Sequence, residues 1–484
     1  MFDLLSELAS MVTAGPIMAA LVLCTLLALL AAATLAFLYH HAGAPKKAFL
    51  IGLAAGIPIM TPALVQSRQA AAFAMNLSLA DLLVPAAALY LLHGLLKRSQ
   101  PLQVPLFWLC LAYTLWAALS IVIGGHTLRI EMLKISHLVS LLKIVALFLY
   151  FYVILNLIED LGDMKVLLKF WIITGTLVGL LGIGGALAYQ LFHIRNFAAG
   201  DFRAMGTLGN PNLFAGYLTT TFLLSYVYIV LGGNKRFLIP CMVTHGVAIL
   251  LSASKGSVAA FAVGAFTLMV FLPRRRVRIL ALALGTLTAA AVVYLASDDS
   301  RVYMDRILSI TDLDDKSHQR RLALWTTSLE IWEDHALFGV GLGNFALASP
   351  EQALPEGTGT KWSAAGLGGV KRELAVSHST YLSLLCEMGL PGLFLFLAIF
   401  LCFVFTLLRR ISRTPASEPA LKIHAALLAS IVSTLAQAGV ANVENSRAIW
   451  ASLGIIFAYE LKIFRKDIAH TAPVLRGTAI VTSL

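Results

Sequence analysis

HSTYLSLLCEMGLPGLFLFLAIFLCFVFTLLRR, residues 378–410, holds the pattern that decides the fold. From Tyr381 to Leu408 the run is almost wholly apolar. Its one charge is Glu387, and it stops at Arg409 and Arg410. About 20 such residues span a hydrocarbon core as helix. Only helices or closed barrels satisfy their backbone in lipid, and this run is continuous rather than alternating, so a helix is expected.

Outward from this span, runs of the same kind recur. They lie near 16–39, 48–66, 78–96, 104–123, 137–157, 166–192, 211–232, 237–254, 257–273, 279–297, 380–408, 421–442 and 447–464. The expected fold is an all-α integral membrane protein, a polytopic bundle of 12 or 13 transmembrane helices. Composition agrees: 59% of the 484 residues are hydrophobic and 13% charged, against about a quarter charged in soluble domains. The net charge of +11 does not indicate nucleic-acid binding, because the basic residues punctuate the apolar runs. No cleavable signal peptide is expected, since Asp3 and Glu7 precede the first apolar run and the first basic residue is Lys46. Cys24, Cys110, Cys241, Cys386 and Cys402 all fall in apolar segments and read as packing thiols.

Orientation follows from where Lys and Arg collect. Lys46/Lys47, Lys97/Arg98, Lys165/Lys169, Lys235/Arg236, Arg274–Arg278, Arg409/Arg410 and Lys462/Arg465 alternate on one side, read as cytoplasmic. Thirteen spans then put the N-terminus outside, twelve put it inside. Three regions result: N-terminal transmembrane helices over 1–297, a large outward loop with short amphipathic helices over 298–377, and C-terminal helices with a cytoplasmic tail over 378–484. One long polar loop among short connections marks a function carried there.

The outward face is basic where topology does not require it. Lys255 ends an apolar run, and Lys143 lies inside one; such a cation either snorkels or faces a polar cavity with a partner. Arg320 and Arg321 open an amphipathic segment that serves either a membrane surface or a phosphate. A positive surface at membrane level suits lipid-linked phosphate or pyrophosphate. His378, where the long loop meets the span, can accept a proton near neutral pH, or be structural. Asp298/Asp299 and Asp314/Asp315 read as solvated loop charges. Gly339-Val-Gly-Leu-Gly343 reads as a turn after a helix, and no Walker A, Gly-x-Ser-x-Gly or His-Glu-x-x-His sequence occurs. Glu387, with the Gly389/Pro391/Gly392 break, reads as structural: on a continuous helix it lies about 180° from His378.

Three stretches together resemble the O-antigen ligase family, within the group that includes O-antigen polymerases and protein O-oligosaccharyltransferases. They are Arg203-Ala-Met-Gly-Thr-Leu-Gly-Asn-Pro-Asn-Leu-Phe-Ala-Gly216; Arg321-Leu-Ala-Leu-Trp325 with His335-Ala-Leu-Phe-Gly-Val-Gly-Leu-Gly-Asn-Phe345; and His378-Ser-Thr-Tyr-Leu382 with Glu387-Met-Gly-Leu-Pro-Gly392. The resemblance covers about residues 200–400. It implies a GT-C-type glycosyltransferase of a Gram-negative inner membrane, its site on the periplasmic side. Such an enzyme moves O-antigen from undecaprenyl pyrophosphate to a sugar of lipid A–core. By resemblance His378 is the loop histidine and general base, and Arg321 the loop arginine. Lys255, with Arg203 and Arg320, would hold the donor pyrophosphate. At Lys255 the family usually has arginine; lysine keeps the charge without the bidentate fork. The transfer would invert the anomeric centre, and no metal or other cofactor is expected. Alternatives are a polymerase of the same group and a lipid-linked saccharide flippase. One dominant loop, a single Arg-x₁₀-Gly match (Arg195 to Gly206) and no internal repeat favour the ligase.

Overall fold

The structure, a computed structural model, describes residues 45–60, 78–97, 101–128, 135–192, 197, 203–272, 316–349, 376–415 and 417–464. These form α1 (Pro45–Gly56), α2 (Leu79–Leu96), α3 (Phe107–Thr127), α4 (Ile135–Leu157), α5 (Leu161–Phe192), α6 (Pro211–Val230), α7 (Lys235–Leu251) and α8 (Lys255–Phe271). Beyond them come α9 (Lys316–Asp334), α10 (Phe345–Ala348), α11 (Thr380–Arg413), α12 (Pro419–Ala438) and α13 (Arg447–Ala458), which runs into a π-helical turn, Tyr459–Phe464. No strand occurs among the described residues, where Met60 and Ser78 make one isolated bridge. The chain is an all-α polytopic membrane protein.

Seven of these helices, α2 to α6, α11 and α12, are long and apolar enough to cross a membrane. Helices α7 and α8 have 17 residues each, or about 26 Å at 1.5 Å per residue. The expected spans 16–39 and 279–297 lie outside the described residues, as do Cys24, Asp298/Asp299 and Asp314/Asp315. The second span differs from expectation: the helix stops at Gly56 rather than running to 66. Pro58 ends it, since a proline disfavours helix in the residue before it. Leu79 then donates to Ile59 O at 2.9 Å.

Helix α11 is central. It packs on α12, α3 and α9, while α13 packs on α4 and α8 on α12. Small residues allow the α8–α12 approach: a Cβ on Gly264 would meet Ser433 Cβ at 2.9 Å, and Ser433 Oγ donates to Ala260 O at 2.7 Å. Close contact of this kind drives helix association in lipid, where burial from water offers no gain. Between α4, α11 and α13 the filling is aromatic, with Phe148–Trp450 centroids 4.9 Å apart and Phe403–Phe457 4.6 Å apart.

One end of the bundle carries ion pairs. Lys46 Nζ reaches Asp163 at 2.8 Å and Glu159 at 2.9 Å, and Arg410 reaches Glu460 at 2.9 Å. Lys462 donates to Leu155 O at 2.8 Å. These lysines and arginine belong to the set read as cytoplasmic. Candidate site residues gather at the other ends of the helices.

Candidate active site

The stretch from Arg203 to Leu213 builds a rigid entry to α6. Gly206 and Gly209 have φ of +53° and +68°, a region glycine enters without a Cβ penalty. A side chain on Gly206 would also press into the Phe214 ring. Asn210 caps α6, accepting from Asn212 N at 2.8 Å, and Pro211 takes the first turn. Arg203 is held by the same unit: its Nε donates to Ser252 O at 2.7 Å and its Nη2 to Asn212 Oδ1 at 3.3 Å.

Asn212 extends the cluster to Lys255. Ser254 caps α8, accepting from Ser257 N, and its hydroxyl lies 2.6 Å from Asn212 Oδ1. Gln437 of α12 donates to Asn212 O at 3.0 Å and to Ser257 Oγ at 3.1 Å. Lys255 is the first residue of α8, half-buried. Arg203 and Lys255 therefore share one hydrogen-bonded frame, and the dipole of α8 adds positive potential at its N-terminus.

His378 stands across the 439–444 segment from this frame. Gly256 packs on Val440, and Thr380 N donates to Ala441 O at 3.2 Å. His378 has φ of +56°, a conformation that costs about 1–3 kcal/mol for such a residue and persists where the surroundings enforce it. Here two buried serines enforce it. Ser377 Oγ donates to Ser379 O at 2.8 Å, accepts from Ser379 N at 3.2 Å, and sits 2.8 Å from Ser383 Oγ. Ser379 then caps α11. The histidine thus precedes the helix, so the helical-wheel separation expected between it and Glu387 does not apply.

Glu444 lies beside this turn. Its Oε2 accepts from Thr380 Oγ1 at 2.6 Å, and its Oε1 faces Asn445 Nδ2 at 3.2 Å and Asn442 Nδ2 at 3.4 Å. No lysine or arginine pairs with it among the described residues. Burial raises its carboxyl above the ordinary carboxylate range, and the bonds from Thr380 and Asn442 oppose that only in part.

The helix holding Arg321 docks nearby. Leu324 and Ile331 of α9 are buried with Val340, Phe345 and Cys386, which lays α9 on α11. It is not simply a helix resting on a membrane surface. Arg321 is half-buried; the side chain of Arg320 lies outside the described residues. Gly339, Gly341 and Gly343 all have positive φ, forming the expected turn after a helix. Glu387 holds that turn, accepting from Phe345 N at 3.2 Å, while Val340 N and Gly341 N donate to Cys386 O and Glu387 O. The expected break is present: Gly389 has φ of +68° inside α11. Trp116 Nε1 takes up the carbonyl of Met388 at 2.8 Å.

The structure thus brings Arg203 and Lys255 into one frame through Asn212 and Ser254, sets His378 across the 439–444 segment, and ties Arg321 in through α9–α11 packing. Among the described residues, Arg447 and Asp81 lie near Lys143, and Arg447 Nη2 reaches Asp81 Oδ2 at 2.6 Å. Sequence reading missed Asn212, Gln437 and Glu444. The first two look like ordinary helix amides. Glu444 was visible as a carboxylate in a short polar gap between two apolar runs. Cys110, Cys241 and Cys386 are buried free thiols and Cys402 is half-buried. Among the described residues no cluster of three His, Cys, Asp or Glu could hold a metal ion.

No curated protein matches the chain. A family model described as O-antigen ligase matches residues 240–397, a segment that runs from α7 into α11 and includes Lys255, Arg321 and His378 but neither Arg203 nor Glu444. Over this segment the chain is similar to the O-antigen ligase family.

Proposed function

We propose that the protein is an O-antigen ligase of the inner membrane, acting at its periplasmic face. The donor is O-antigen on undecaprenyl pyrophosphate, and the acceptor is a sugar hydroxyl of lipid A–core. The observation that carries this reading is the His378 turn, held in a strained conformation across the 439–444 segment from the Arg203–Lys255 frame. Strain of this kind concentrates at functional sites.

In this reading the acceptor hydroxyl attacks the anomeric carbon while the bond to the pyrophosphate oxygen breaks. The proton passes to His378, and the electron pair leaves with undecaprenyl pyrophosphate. One displacement inverts the centre. Charge builds on the leaving oxygen, so fixed cations bind the transition state more strongly than the ground state. Lys255 and Arg321 are the cations nearest that role. Arg203, with Nε and Nη2 committed to Ser252 and Asn212, chiefly fixes the frame; Arg320 supplements Arg321. Several cations in place of a metal would make the transfer metal-independent.

A polymerase of the same group would use the same donor and base. The two differ in acceptor: lipid A–core, or a second undecaprenyl-linked repeat. The purified protein, given preassembled O-antigen donor and lipid A–core, should release undecaprenyl pyrophosphate and produce O-antigen-bearing lipid A–core. Lengthening of lipid-linked repeats with lipid A–core untouched would establish the polymerase. Flipping without turnover would establish a flippase.

A further inference from the structure

We propose that the Asn442–Asn445 loop is the acceptor-sugar subsite, in which Glu444 accepts a hydrogen bond from a sugar hydroxyl and holds that sugar for attack beside His378. The proposal rests on the transfer reading above and adds where the acceptor binds.

Charge divides the two sides of the 439–444 segment. On one side stand Lys255 and Arg203, suited to pyrophosphate. On the other is the Glu444 carboxylate, whose oxygens bond among the described residues to the neutral Thr380, Asn442 and Asn445. A carboxylate repels a phosphate and accepts from a neutral hydroxyl, the chief donor a sugar offers. Its Oε1 contacts, at 3.2 and 3.4 Å, are long for charge-assisted bonds, so that oxygen has acceptor capacity left. Asn442 Oδ1 is buried without a partner among the described residues, a second acceptor in the same loop. Asn445 is exposed and offers an amide to the ring's other hydroxyls. Thr380 ties the loop to the turn of His378, two residues away, so a sugar held there is placed relative to the base. Buried polar groups built to pair with a ligand give such a site its selectivity.

The test is steady-state kinetics of purified Glu444→Gln, Glu444→Asp and Asn445→Ala, with donor and lipid A–core titrated separately. Glutamine keeps the shape and loses the charge. Glu444→Gln should raise the KM for lipid A–core about tenfold, the worth of one hydrogen bond to a charged group, with the donor KM within about twofold. Glu444→Asp should recover part of the loss, and Asn445→Ala should shift the acceptor KM alone. An unchanged acceptor KM in Glu444→Gln overturns the proposal. So does a parallel rise in both KM values, the mark of a structural role. A fully active His378→Ala would instead sink the transfer reading, and the subsite with it.

Discussion

The hydroxyl of Thr380 lies 2.6 Å from Oε2 of Glu444, joining the first turn of α11 to the loop that precedes α13. The same hydroxyl accepts from Val443 N at 2.8 Å, and the backbone of Thr380 bonds Ala441. Three bonds at one residue fix the 439–444 segment against the His378 turn. Position, not only chemistry, is thereby assigned to the base.

Thr380→Val keeps the shape and removes the hydroxyl. It strands a buried carboxylate oxygen and the N–H of Val443. A hydrogen bond to a charged group contributes about 1.5–3 kcal/mol, so kcat should fall at least about tenfold while the protein still inserts and folds. Wild-type kcat in this variant would show that the bond does not position the turn.

The raised pKa of Glu444 sets a stability profile with a definite sign. The folded chain holds this proton more tightly than the unfolded chain. The resulting stability is fully present below the unfolded carboxylate pKa and lost as pH rises through the folded value. Glu444→Gln imitates the protonated form. Its melting temperature should exceed that of the wild type at mildly alkaline pH, with the difference shrinking under acid. A variant less stable than wild type at alkaline pH would mean the carboxylate is favoured in the fold.

Donor use should depend on Lys255 and Arg321. Lys255→Ala and Arg321→Ala should each lower donor turnover, by about 10²–10³ where the group stabilises the leaving oxygen. Lys255→Arg should keep most activity, because charge is preserved. Donor turnover unchanged in Arg321→Ala would remove that residue from the clamp. EDTA should leave the wild type active; loss of activity restored by Mg²⁺ would require a metal in the mechanism.

Gly389→Ala tests the kink in α11. At φ of +68° an added Cβ would run into the backbone of Leu337, and a side chain is strained there in any case. The substitution should detach α9 from α11, seen as faster proteolysis within α9, and lower thermal stability. A variant as protease-resistant as the wild type would show that the kink does not seat α9.

The spans were legible because lipid imposes one constraint, length of apolar helix, and the chain states it openly. Ile135–Leu157, Pro211–Val230 and Thr380–Arg413 begin within two residues of their expected starts. Over 48–66 hydropathy continued past Pro58, while the helix did not. His378 and Lys255 stood out in the sequence as polar residues where apolar runs end, and Arg321 as the opening of an amphipathic segment; the roles proposed for them come from the family resemblance. The Arg203–Asn212–Ser254–Gln437 frame was not, because it joins residues far apart in sequence whose side chains, taken singly, look like caps and helix amides. The strain at His378 was also invisible: it arises from Ser377 and Ser383 meeting across a turn, which no local pattern encodes.

The central claim is that His378 takes the proton of the acceptor hydroxyl. The measurement is the single-turnover rate of purified His378→Ala with undecaprenyl pyrophosphate-linked O-antigen and saturating lipid A–core, beside the wild type, with folding verified by melting temperature. The expected result is a loss of about 10²–10⁴-fold, the usual contribution of general base catalysis, in a protein that remains folded. A folded His378→Ala that transfers O-antigen at nearly the wild-type rate would contradict it.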